Sequence, residues 1–164
     1  MPDSNKPKVG ALNHASIPVR NLKEAKRFYT EVLGGEIVLE SNPKFAEVRV
    51  GGAIIGLSEQ EGGWTGPNAE FPHYAFTMTG ENFYPFIEHL KANGVRTHQP
   101  WTRHGVEALM YFRDPSGNLF ELYCERGLKD ADKLPRHVKA GGTLVIDFPA
   151  LTYEWQGYAN QRPV

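Results

Sequence analysis

The chain has 164 residues, enough for one hydrophobic core and cramped for two. Hydrophobic residues make up 40% and charged residues 23%, a globular composition that excludes a disordered chain. With 18 Lys+Arg against 19 Asp+Glu and a formal charge of -1, no net basicity drives nucleic-acid binding, and no polyanion partner is expected.

In chain order, residues 1–10 are polar with two prolines and read as an N-terminal arm without a signal peptide. No apolar run approaches the ~20 residues of a membrane span, so no membrane partner is expected. Cys124 is the only cysteine, which rules out an intrachain disulfide and a cysteine-based zinc site and fits a cytoplasmic location. From Leu12 to Val19 the residues alternate as in a strand. Asn21 with Glu24 marks a helix start, apolar residues recur at helical spacing to Leu33, and Gly34-Gly35 ends the pattern. Strands follow at Glu36 to Glu40, Phe45 to Val50 and Ala53 to Ser58, separated by Asn42-Pro43 and Gly51-Gly52 turns.

The same order returns after a loop from Glu61 to Pro72. It runs through a strand from His73 to Thr79, a helix from about Glu81 to Asn93, Gly94, and strands at Val95 to His98, Glu107 to Phe112 and Asn118 to Cys124. The interval from His14 to His73 equals that from Gly35 to Gly94, so the two halves share a phase. The expected fold is α+β. Two βαβββ modules, 11–60 and 71–126, pack as a curved mixed sheet around a metal trough in a single domain, 11–126. Residues 127–164 form a C-terminal extension with the apolar run Thr143 to Phe148 and the aromatic residues Tyr153, Trp155 and Tyr158. This extension reads as a lid or a dimer contact, so a homo-oligomer is compatible with it.

His14 and His73 open the two modules at equivalent points, and Glu121 lies in an otherwise apolar closing strand, Leu119-Phe120-Glu121-Leu122-Tyr123. Two imidazoles and a carboxylate suit Fe(II), Mn(II) or a similar divalent ion and leave coordination positions open. A carboxylate there is costly without a partner.

Leu12-Asn13-His14, the Arg27-Phe28-Tyr29 helix ending in Leu33-Gly34, and Asp114-Pro115-Ser116-Gly117-Asn118-Leu119-Phe120-Glu121 resemble the vicinal oxygen chelate superfamily over roughly Ala11 to Arg126. The resemblance places His14, His73 and Glu121 on metal-ligand positions. Ala53 to Ser58 lacks the fourth ligand, Glu or Gln, that glyoxalase I carries, and bleomycin-binding members generally lack the triad.

Thr102-Arg103-His104, Met110-Tyr111 and the Asp114 to Glu121 stretch further resemble the ring-cleavage signature of extradiol dioxygenases. That resemblance implies an Fe2+ oxidoreductase, with Mn2+ or another divalent metal as alternative. It would cleave a small aromatic diol, such as an L-DOPA-like catechol, with O2 to a semialdehyde. His104 would move a proton and Tyr111 would hydrogen-bond the catechol. Arg103, Arg126 and Arg113 would be available to a substrate carboxylate, and Ser58, Glu59 or His98 would replace an acid–base His absent from Ile55 to Glu59.

A second expectation is a fosfomycin-resistance type thiol transferase or epoxide hydrolase, which Leu57-Ser58 and His73-Tyr74-Ala75-Phe76 also resemble. That branch's Ser-Glu-Gly potassium loop and phosphonate-binding Lys have no counterpart between Val95 and Phe112. A third is a non-catalytic small-molecule binding protein.

Overall fold

The computed structural model describes residues 11–63 and 69–155; the expected N-terminal arm and Tyr158 lie outside the described residues. Strand β1 (His14–Val19) leads into helix α1 (Leu22–Arg27), which Asn21 caps by accepting the Glu24 N–H. The helix widens into a π turn at Phe28–Val32 and stops where Gly34 adopts a φ of 69°. Gly35 must stay side-chain-free, because a Cβ would lie 2.7 Å from the Tyr29 carbonyl and 2.9 Å from that of Arg49.

Strands β2 (Glu36–Asn42), β3 (Phe45–Val50) and β4 (Ala53–Glu59) complete a sheet of order β1-β4-β3-β2, with β1 parallel to β4. The second module contains β5 (His73–Thr77), α2 (Gly80–Ala92), β6 (Ala108–Arg113) and β7 (Leu119–Cys124). Its sheet order is β5-β7-β6, with β5 parallel to β7. The fold is α+β, as the two-module repeat implies.

The strand expected at Val95 to His98 is reduced to isolated bridges, Thr97 to Phe112 and Trp101 to Leu109. Pro100 lies between them and has no N–H to continue a ladder. The Arg96 guanidinium instead donates to the carbonyls of Ala150 and Thr152 in the extension. No helix among the described residues is long and apolar enough to cross a membrane.

Ile17, Val19, Val48, Leu57, Phe83, Ile87, Leu90 and Phe120 belong to one core shared by both modules. A second apolar cluster joins Trp101, Leu109, Tyr111 and Leu119 of the second module to Ile146, Phe148 and Leu151 of the extension. The extension is further anchored by Trp155, whose indole donates to the Asn93 carbonyl at 2.9 Å and meets Phe28 edge-on, and by Tyr153, whose hydroxyl donates to the Arg113 carbonyl.

The two modules are joined at the turn between β6 and β7. Asp114, 2% exposed, accepts from the Tyr29 hydroxyl at 3.0 Å, the backbone N–H of Ser116 and Asn118, and the Asn118 side chain. Burial outweighs these donors and leaves its carboxyl raised to about 6. Asn118 also donates to the Pro18 carbonyl of β1, and the Arg20 N–H donates to the Ser116 hydroxyl. Asp114→Ala orphans several buried donors at once. It should lower unfolding free energy by about 3 kcal/mol or more in urea titrations, whereas Glu36→Ala at the exposed start of β2 should change little.

Candidate functional site

Strand alternation in the second sheet turns Tyr74, Phe76, Phe120 and Leu122 toward the shared core and leaves His73, Ala75 and Glu121 on the opposite face. Glu121 pairs in register with Tyr111 of β6 and Ala75 of β5. It is only 3% exposed, on the face that the extension packs against.

His73 Nδ1 lies 3.0 Å from the Glu70 carbonyl. A carbonyl only accepts, so Nδ1 carries a hydrogen, which leaves Nε2 as the nitrogen that can present a lone pair. Nε2 stands 3.9 Å from Glu121 Oε2, and Glu121 Oε1 is buried with no hydrogen-bond partner among the described residues. Two acceptors facing each other at this distance call for a cation between them, either a proton or a metal ion. Burial pushes the Glu121 carboxyl up, opposed by His73, Arg103 and Tyr111. Burial, Glu121 and Glu70 hold the Tyr111 phenol far above its ordinary range, so at neutral pH it remains a hydrogen-bond donor.

Beside His73 opens a cavity of about 480 Å³ lined also by Tyr111, Arg103 and His104, by Trp101, and by His137, Lys139 and Ile146 of the extension. The loop carrying Arg103 and His104 is held by the buried Glu107 carboxylate, which accepts both backbone N–H groups at 2.6 and 2.8 Å. Burial would raise the Glu107 pKa, but the donated backbone hydrogen bonds and His104 bring it below the usual range. Burial and the neighbouring Lys139 lower the His137 pKa, which favours a neutral ring whose Nδ1 accepts the Lys139 N–H.

The fold thus gathers His73, Glu121, Tyr111, Arg103 and His104. His14 is exposed on β1, its ring 2.9 Å from the Asn13 side chain, in a cleft between the sheets that also reaches His73. Among the described residues no cluster of three His, Cys, Asp or Glu side chains is close enough to hold a metal ion. Ser58 lies on the first sheet, paired with Phe45 and Pro18, and Arg126 is 81% exposed beyond β7. Arg113 is committed to the carbonyls of Gly117 and Ala69, and His98 borders a different surface hollow. Glu70, Trp101, His137 and Lys139 went unnoticed in the sequence. Only the short His137-Val138-Lys139 run in the extension hints at a polar contribution from that segment.

A profile of the "Glyoxalase/Bleomycin resistance protein/Dioxygenase superfamily" matches residues 11–122. The glutathione transferase FosA of Serratia marcescens is 32% identical over 116 residues, covering 69% of this chain and 79% of the relative. The metallothiol transferase FosB of Staphylococcus saprophyticus is 29% identical over 120 residues, covering 70% and 77%. Among solved structures, the fosfomycin resistance protein FosX of Listeria monocytogenes superposes with a TM-score of 0.63 at 24% identity, covering 76% of this chain and 96% of that one.

These relatives overturn the extradiol reading. They are thiol transferases and fosfomycin resistance proteins, so the expected oxidoreductase class, with its catechol, O2 and ring cleavage, is withdrawn. The signature misled because its residues also serve the fold. Asp114 to Asn118 joins the modules, and His104, with a side chain 77% exposed, sits at the rim with its Nδ1 3.4 Å from Glu107. The repeat, the paired sheets and the matched residues agree, and the chain belongs to the glyoxalase/bleomycin resistance protein/dioxygenase superfamily.

Proposed function

We propose that the chain is a divalent-metal-dependent enzyme of the fosfomycin-resistance type, which opens a small anionic epoxide by adding a thiol. The observation that carries this reading is His73 Nε2 standing 3.9 Å from the buried Glu121 Oε2, with His73 also lining a cavity that holds cationic side chains. The names of the FosA and FosB relatives support thiol transfer. His73 and Glu121 would hold the metal, and His14 is the third donor that the repeat supplies, arriving by closure of the cleft between the sheets or from a second copy of the chain. Mn(II) replaces iron as the first cation to test, since the Listeria protein was solved with Mn(II) and the case for Fe2+ rested on ring cleavage.

A bound divalent ion supplies Lewis-acid polarisation of the epoxide oxygen. The chain's own residues do the rest. Arg103 attracts the substrate anion, the Tyr111 hydroxyl donates a hydrogen bond, and the extension limits access of water to the Glu121 face. Cys124 is buried, with its thiol directed to the Arg126 carbonyl, so the nucleophile is a thiol co-substrate. A C–S bond forms as a ring C–O bond breaks, and the thiol proton ends on the released oxygen.

At a hundredfold excess over Kd, Mn(II) should raise the melting temperature by about 5–10 °C. Glu121→Gln and His73→Ala should abolish this shift, and His14→Ala should reduce it if His14 joins the set; an unshifted wild type removes the metal from the reading. With Mn(II), fosfomycin and glutathione or L-cysteine, thiol consumption and adduct formation by mass spectrometry should be observed, and Glu121→Gln should be at least ~10²-fold slower. Absence of any thiol adduct sinks thiol transfer.

A further inference from the structure

The extension supplies one wall of the cavity, through His137, Lys139 and Ile146, and lies beyond residue 122, where the family match ends. We infer that this wall turns the site toward an organic anion carrying an aromatic ring, with the anion held by Arg103 and the ring lying on the aromatic surface of Phe71 and Trp101. The inference rests on the proposed site, and names the substrate class.

Three observations carry it. The cavity is lined with rings in mutual contact: Trp101 stacks on Tyr111 at 6.1 Å, His137 meets Trp101 at 5.4 Å, and Phe71 lies 5.4 Å from His73. Beneath them Phe148 packs edge-on against Tyr111, so the surface is backed by the extension. At about 480 Å³ the cavity falls in the range of sites for drug-sized ligands, and a three-carbon phosphonate leaves most of it unfilled.

The charges are arranged to match. Arg103 lies over the Trp101 ring at 5.7 Å, and no described carboxylate pairs with its guanidinium. Lys139 pairs with Glu70 at 2.5 Å and lies over Phe71 at 5.8 Å, so it cancels the acidic group that would otherwise repel an anion. An aromatic anion satisfies the rings, the free guanidinium and the volume together; an aliphatic one leaves the rings wet.

The test is calorimetric titration of phenylphosphonate and methylphosphonate into the full chain, with Mn(II) and after EDTA treatment. Phenylphosphonate should bind about tenfold or more tighter than methylphosphonate. Arg103→Ala should weaken both by about tenfold or more. Phe71→Leu, at a half-exposed position where folding is not at stake, should erode the preference by weakening phenylphosphonate more than methylphosphonate. Trp101→Leu should do the same more strongly if it folds. Equal affinities for the two probes, or a preference untouched by Phe71→Leu, overturn the inference. A preference that survives in EDTA-treated protein showing no Mn(II) shift and no thiol adduct keeps the inference and removes the proposed chemistry; the opposite pattern removes only the inference.

Discussion

Asp114 is almost fully buried where the two modules meet, and its carboxylate gathers a phenol from α1's π turn, two backbone N–H groups and the Asn118 amide. Asn118 reaches on to β1 through the Pro18 carbonyl. The sheets are not hydrogen-bonded to each other, so this polar junction and the shared apolar core fix how they sit together. It also fixes the start of β7, and with it the position of Glu121 seven residues on. A buried charge is tolerated here because every available donor converges on it.

Much of this was legible in the sequence because it is local. The Asn21 cap, the Gly34 stop, the hairpin turns and the alternation in β1, β3, β4 and β7 follow from short-range rules, and the repeat phase carried the module order. His73 and Glu121 were also legible, one through the repeat and the other as a charge in an apolar strand. The strand at Val95 to His98 is reduced because Pro100 has no N–H to continue the ladder and Arg96 answers to a segment more than 50 residues later. Trp101, His137 and Lys139 were missed for the same reason. Their role comes from an encounter between a loop and the extension, which no periodicity encodes.

The aromatic and apolar residues of the extension were expected to make a lid or contact. The described part packs against the second sheet and supplies both the backing and one wall of the cavity. Ring-cleaving and thiol-transferring members share the turn, the His and the Glu, so those residues alone do not separate the two chemistries. Around them here stand an exposed His104, a phenol that keeps its proton and, over an indole, a guanidinium that no carboxylate among the described residues pairs with.

Gly142 lies against the Arg136 carbonyl so closely that a Cβ there would be 2.0 Å from the oxygen, and its N–H donates to the His137 carbonyl. The backbone between them is therefore a closed loop that requires glycine at 142, and the side chains at 137 and 139 line the cavity, His137 accepting the Lys139 N–H and Lys139 pairing with Glu70. Shape and chemistry are thereby coupled, since a ring that lines the cavity also holds the turn. A substitution at His137 therefore changes both the group displayed in the cavity and the turn that carries it.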